Sequence, residues 1–148
     1  MDTMKLIIAR LKLAAALILL ISQTVLSQSE RIESFSGLME NLNNGESVRV
    51  VIDYAKCDWG PETDSAEETP SAITGMEIDT YEYFEVGVAR NSDPFLVFST
   101  SKLIENPIGK GFVYNYGKIR VYHDNSVIVT AKYVKPESYK VIMDESFI

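Results

Sequence analysis

One cysteine, one histidine and one tryptophan are spread through 148 residues, and the scarcity of the first two closes off several kinds of chemistry. A single thiol, Cys57, cannot form an internal disulfide, so stability has to come from packing even in an oxidising compartment. A single histidine, His123, cannot make an ordinary zinc site. Neither a Gly-rich phosphate loop nor a Gly-x-Ser-x-Gly elbow occurs, and no cofactor is expected. Past residue 27 basic residues are thin: Lys118 and Arg120 are the densest pair there, and a pair is not a patch. With 14 Lys and Arg against 21 Asp and Glu, the net charge of −7 argues against nucleic acid or anionic lipid as a partner. No Asn-x-Ser/Thr sequon is present, so no N-glycan is expected.

What is present begins with Lys5, Arg10 and Lys12, followed by an uncharged run from Leu13 to Ile21 and small or uncharged residues at Val25 and Ser27. This three-part order is that of an export signal over residues 1–27, with cleavage after Ser27. A spanning anchor would need ~20 apolar residues, and Lys12 stops the run short of that, so no stable membrane insertion is expected once the signal is removed. Loss of Asp2, Lys5, Arg10 and Lys12 leaves 11 basic and 20 acidic side chains, a net charge of −9. The remaining 121 residues, 28–148, make one secreted domain by size.

Within that domain, Phe35, Leu38, Met39 and Leu42 fall at helical spacing behind a capping Ser34, and Gly45 supplies a left-handed stop. After Gly45 the period changes to two: Val48, Val50, Ile52 and Tyr54 alternate with Arg49, Val51 and Asp53. A further strand or strand pair is expected over Met76–Glu85, another over Phe95–Thr100, and a three-stranded meander over Phe112–Tyr122, Val127–Val134 and Tyr139–Met143. Short turns and the lack of a crossover helix exclude a doubly wound sheet. The class is therefore mainly β: an antiparallel, strongly curved sheet or small barrel with one short N-terminal helix, α+β being the alternative. Hidden edges favour the barrel-like form over an open sheet with the helix across one face. The acidic stretch at about 58–70 carries no large apolar side chain after Trp59 and is expected to be a solvated, flexible loop.

Three groups of residues could carry chemistry. Cys57, unpaired, could link two chains in a dimer or act as a thiol nucleophile, with Lys56 favouring the thiolate and Asp58 opposing it. The carboxylates Asp58, Glu62, Asp64, Glu67 and Glu68 could gather Ca²⁺, but they lack the spacing of a tight calcium loop. The tyrosines on strands, Tyr54, Tyr81, Tyr83, Tyr114 and Tyr116 among them, could line a face or cavity for a small amphipathic ligand; the plainer reading is cross-strand packing.

The blocks Val51–Cys57, Gly75–Phe84, Phe98–Leu103 and Val113–Tyr122, with Lys132–Val134 and Tyr139–Phe147, resemble the VirK family of small exported proteins. The resemblance implies export, one compact domain and no catalytic residue, because the family has no agreed biochemical activity. Asp53, Tyr54, Lys56 and Cys57 match its most distinctive block; Asp79, Tyr81, Tyr83 and Phe84 match a second, and Asn115 and Tyr116 a third. The expected function is a non-enzymatic secreted protein that binds a small ligand or an extracellular protein. An acidic matrix or mineral-associated protein and a thiol enzyme using Cys57 stand as alternatives.

Overall fold

The structure is a computed structural model that describes residues 30–61, 63 and 67–148. The expected export signal, and Glu62 and Asp64 of the acidic stretch, lie outside the described residues. Residues 32–148 form one compact unit.

Helix α1 spans Phe35–Asn43, and its ends follow from the residues that flank it. The Ser34 side chain accepts a hydrogen bond from the Gly37 amide at 3.1 Å, satisfying one of the free donors of the first turn. A second first-turn donor, the Phe35 amide, is satisfied from far along the chain by Asn125 Oδ1 at 2.7 Å. Asn125 stands in a hairpin turn at φ 70°, a conformation that asparagine tolerates better than most residues. The helix stops at Asn44 and the chain reverses through Gly45 at φ 75°. Its apolar stripe, Phe35, Leu38, Met39 and Leu42, packs on the core.

Two antiparallel sheets follow. Strands β1 (Arg49–Asp53) and β2 (Ile73–Glu77) form a two-stranded ribbon, with Arg49 opposite Glu77 and Asp53 opposite Ile73. Strands β3 (Glu82–Phe84), β4 (Phe95–Glu105), β5 (Phe112–Tyr122), β6 (Val127–Val134) and β7 (Val141–Phe147) form a five-stranded meander in chain order. The expected strand pair over Met76–Glu85 is thus divided between the sheets, with buried Ile78 in the passage from one to the other. Strand β4 runs well past Thr100 because every residue to Glu105 finds a register partner on β5. Strand β7 likewise continues past Met143 to Phe147.

Side-chain alternation splits the large sheet into two faces. Leu96, Phe98, Ile119, Val129 and Phe147 point to one of them, where they meet Leu42 of α1 and Val48, Ile52, Met76 and Ile78 from the ribbon and its flanks. Gly117 leaves room for the ribbon: the Met76 methyl lies 3.5 Å from where its Cβ would stand. The opposite face carries Phe95, Arg120, Lys118, Tyr116 and Tyr114. The mainly β, antiparallel class and the short N-terminal helix stand as expected. Of the two architectures, the open sheet is the one formed: β3 and β7 do not pair with each other, so no barrel closes. The reason is that helix and ribbon already cover the apolar face, so closure would bury little more. Among the described residues, no helix is long and apolar enough to cross a membrane.

Candidate functional site: an aromatic cleft beneath the 54–74 segment

Between β1 and β2 the chain makes a long excursion that roofs part of the apolar face. It opens with a 3-10 turn over Tyr54–Lys56. The next residues add themselves to the edge of β7: the Asp58 and Ile148 amides and carbonyls exchange hydrogen bonds at 2.9 Å in both directions, and the Gly60 amide donates to the Ser146 carbonyl at 2.7 Å. The Ser146 amide in turn donates to Thr63 Oγ1 at 3.0 Å. Of the expected flexible loop at about 58–70, the first three residues are part of the β7 edge, and residues 62 and 64–66 lie outside the described residues. Residues 58–60 satisfy their backbone on β7, Gly60 is buried, and Trp59 and Thr69 tie the stretch back on itself through bonds to the Glu67 and Cys57 carbonyls. Trp59 brings the apolar area that holds residues 58–60 in place.

The anchor is an aromatic triple. Phe147, only 1% exposed, has the Trp59 ring stacked on it with centroids 5.0 Å apart and the Tyr54 ring tilted against it at 4.7 Å. Beside this triple lies a cleft of about 560 Å³, roofed by Tyr54, Trp59 and the Glu67–Thr74 return and floored by Asn115, Tyr133, Met143 and Glu145 of the sheet. Its size is that of a small-molecule site. An irregularity in the β6–β7 register at Tyr133 and Val134 falls at the floor, and such bulges re-aim side chains beside sites.

Glu145 is the unusual member of the floor. The register puts it opposite Ala131, on the same face as Met143 and Phe147, so its carboxyl points under the roof. Burial pushes its pKa up. Among the described residues it has no ion pair, since the two salt bridges are Lys56 with Asp53 and Lys132 with Asp144. The Tyr54 hydroxyl is also pushed up, first by burial, then by Tyr133, Cys57 and Glu145. Burial thus favours the neutral forms of both groups. Because the folded pKa of Glu145 is raised, the neutral carboxyl's contribution is intact below the ordinary carboxylate range and is lost as pH rises through the raised value. Glu145→Gln is expected to gain stability over the native chain as pH goes from about 4 to about 7, where an unshifted Glu ionises near 4.3. Urea midpoints measured across that interval check it; a constant difference would remove the burial effect.

The residues singled out by sequence reading are dispersed. Tyr54 is in the roof, Glu67 and Glu68 stand at the rim, and Asn115 is in the floor. Tyr81 is half-buried against the core, its hydroxyl 3.3 Å from Asn43 Oδ1, and Tyr83 is 43% exposed beside Phe35. Tyr114 and Tyr116 lie on the opposite face of the sheet, so the tyrosines do not surround one concavity. Lys56 turns outward, 81% exposed, and pairs with Asp53 at 2.8 Å. Its charge is thereby directed away from Cys57, contrary to the expectation that it favours the thiolate. The Cys57 thiol donates to the Asp53 carbonyl at 3.4 Å, and burial, then Asp53 and Asp58, push its pKa up. A raised thiol is a poor nucleophile at neutral pH. Among the described residues, no three His, Cys, Asp or Glu side chains gather as a metal site, and Asp58 is exposed with its backbone paired to Ile148. Sequence reading missed Glu145, Met143 and Phe147. The signal was the spacing Met143-x-Glu145-x-Phe147, an acid at an inward position between two apolar ones.

Comparison with known proteins agrees with this architecture. The VirK protein family matches residues 31–139. The fold is similar to that of lpg1832, a VirK family protein from Legionella pneumophila, in its crystal structure: TM-score 0.58 at 16% identity, over 77% of this chain and 86% of that one. No curated protein matches the sequence. A match across well over half of the chain, on a shared antiparallel fold, establishes that this protein belongs to the VirK family.

Proposed function

We propose that the protein is a secreted, non-catalytic binding protein whose aromatic cleft takes a small amphipathic ligand with an apolar body and a protonated amine. The observation that carries the reading is Glu145, a half-buried carboxyl with no ion-pair partner among the described residues, on the floor of a cleft walled by Tyr54, Trp59 and Tyr133. Aromatic faces attract organic cations, and a desolvated carboxylate gains most from one. Glu67 and Glu68 at the rim add attraction of the same sign. The N-terminal residue pattern supports export.

Trp59 is the sole tryptophan and forms part of the roof, so its fluorescence reports directly on the cleft. Titration of the 28–148 protein with 2-phenylethylamine is expected to give a saturable change. The neutral 2-phenylethanol, or the amine with Glu145→Gln, is expected to bind about tenfold more weakly, the cost of one charge-assisted bond. No saturable response to the amine, or equal affinity for the alcohol, would overturn the reading.

A further inference from the structure

On the opposite face of the sheet a close basic pair, Lys118 and Arg120, occupies an unexpected environment. Lys118 and Arg120 are both half-buried, and strand geometry places their Cα atoms roughly 6.6 Å apart on one face. The Arg120 guanidinium lies over the Phe95 ring, 4.6 Å from its centroid, and Nη1 donates to the Tyr122 hydroxyl at 3.2 Å. Its Nε is buried with no acceptor. Among the described residues neither cation has a salt-bridge partner: Asp144, on the same face, is taken by Lys132 at 2.7 Å. An orphaned donor on a partly desolvated cation is costly, and here no internal anion offsets it.

The surroundings have the shape and chemistry of a binding site. Two depressions, of about 630 and 140 Å³, meet at Lys118 and Arg120. The larger is walled by Phe84, Phe95 and Tyr116, and the register flanks Lys118 with the hydroxyl residues Ser99 and Thr130. Glu82, exposed on β3, lines its far rim; it lies two strand spacings, roughly 9.6 Å, from Arg120 across Val97. We propose that Lys118 and Arg120 bind a small aromatic phosphate monoester. The dianion takes the two cations and the hydroxyl donors, and the ring lies against the aromatic wall. Arg and Lys with hydroxyls satisfy a phosphate's many acceptor sites, and two positive charges match its charge near neutrality. This site is independent of the cleft on the other face.

Phenyl phosphate is the probe, followed by amide NMR shifts of the 28–148 protein. Saturable shifts at Ser99, Lys118, Arg120 and Thr130 are expected, weakening with added salt. Inorganic phosphate should bind more weakly at the same residues, and benzyl alcohol should leave them unmoved. Lys118→Gln removes a cation without touching the stack on Phe95, and is expected to weaken binding about tenfold; Arg120→Gln should do so at least as strongly. Glu82→Gln should tighten it. The proposal is overturned if phenyl phosphate gives no saturable shift, if Lys118→Gln binds it unchanged, or if benzyl alcohol competes equally.

Discussion

Phe147→Ala is expected to lower stability by about 3–5 kcal/mol, the usual cost of truncating a buried phenylalanine that cannot be refilled. Phe147 is 1% exposed, packs against the core through the Val129 row, and carries both Tyr54 and Trp59 on its ring. Removing it leaves a cavity bounded by two rings that are fixed by their own backbone pairing, so collapse into the void is limited. For a domain of this size the loss lowers the melting temperature by roughly 10–20 °C. The adjacent Ile148 is 54% exposed, and Ile148→Ala should change stability by less than about 0.5 kcal/mol. Thermal and urea denaturation of the two variants side by side check this. Similar losses for both would mean that the aromatic triple does not hold the roof in place.

Gly60→Ala is the second large effect. A Cβ at Gly60 would stand 2.8 Å from the Ser146 Cβ and 2.9 Å from its carbonyl carbon, and would overlap Ser146 Oγ as well. Because one of these atoms is backbone of a residue paired with Thr130 on β6, the neighbour cannot swing aside. Either β7 shifts or residues 58–60 peel from it, at about 1–3 kcal/mol for overpacking of this kind. Peeling would carry Trp59 off Phe147, so the variant should show a red-shifted Trp59 emission at temperatures where the sheet is intact. Gly75→Ala makes the contrast. Its nearest neighbour is the Val50 carbonyl at 3.7 Å, ordinary contact, and at a strand position the substitution is expected to stabilise by about 0.4–1 kcal/mol. Opposite signs for the two glycines, measured by urea denaturation, are the predicted outcome. A stabilised Gly60→Ala would contradict the close approach.

The elements were legible in the sequence wherever a local period set them. The stripe of Phe35, Leu38, Met39 and Leu42 with Ser34 ahead of it, and the alternation of Val113, Ile119 and Val121 against Tyr114, Tyr116, Lys118 and Arg120, are decided by burial of one face and survive folding unchanged. The VirK resemblance, carried by blocks on these strands, was legible for the same reason. Closure of the sheet was not, because whether edges are hidden depends on what lies across the apolar face, and the ribbon of β1 and β2 does that without joining the meander. The site was less legible still. Tyr54 and Glu145 are far apart in the chain and are brought together only because Asp58–Gly60 pairs with β7, an arrangement whose bonds are all backbone and leave little side-chain trace beyond Trp59 and the glycine itself. Tyrosine count left a lined cavity open beside plain cross-strand packing, and strand register sends Tyr114 and Tyr116 to one face and Tyr133 to the other.

Both cleft and roof depend on residues 58–60 being an integral part of the β7 edge, and amide hydrogen exchange in the native protein at neutral pH measures that directly. The Asp58, Gly60 and Ile148 amides, each donating a bond of 2.7 or 2.9 Å across the junction, should be protected together and to a similar degree. Exchange of Asp58 and Gly60 at the rate of an unstructured loop, with β7 still protected, would contradict the account.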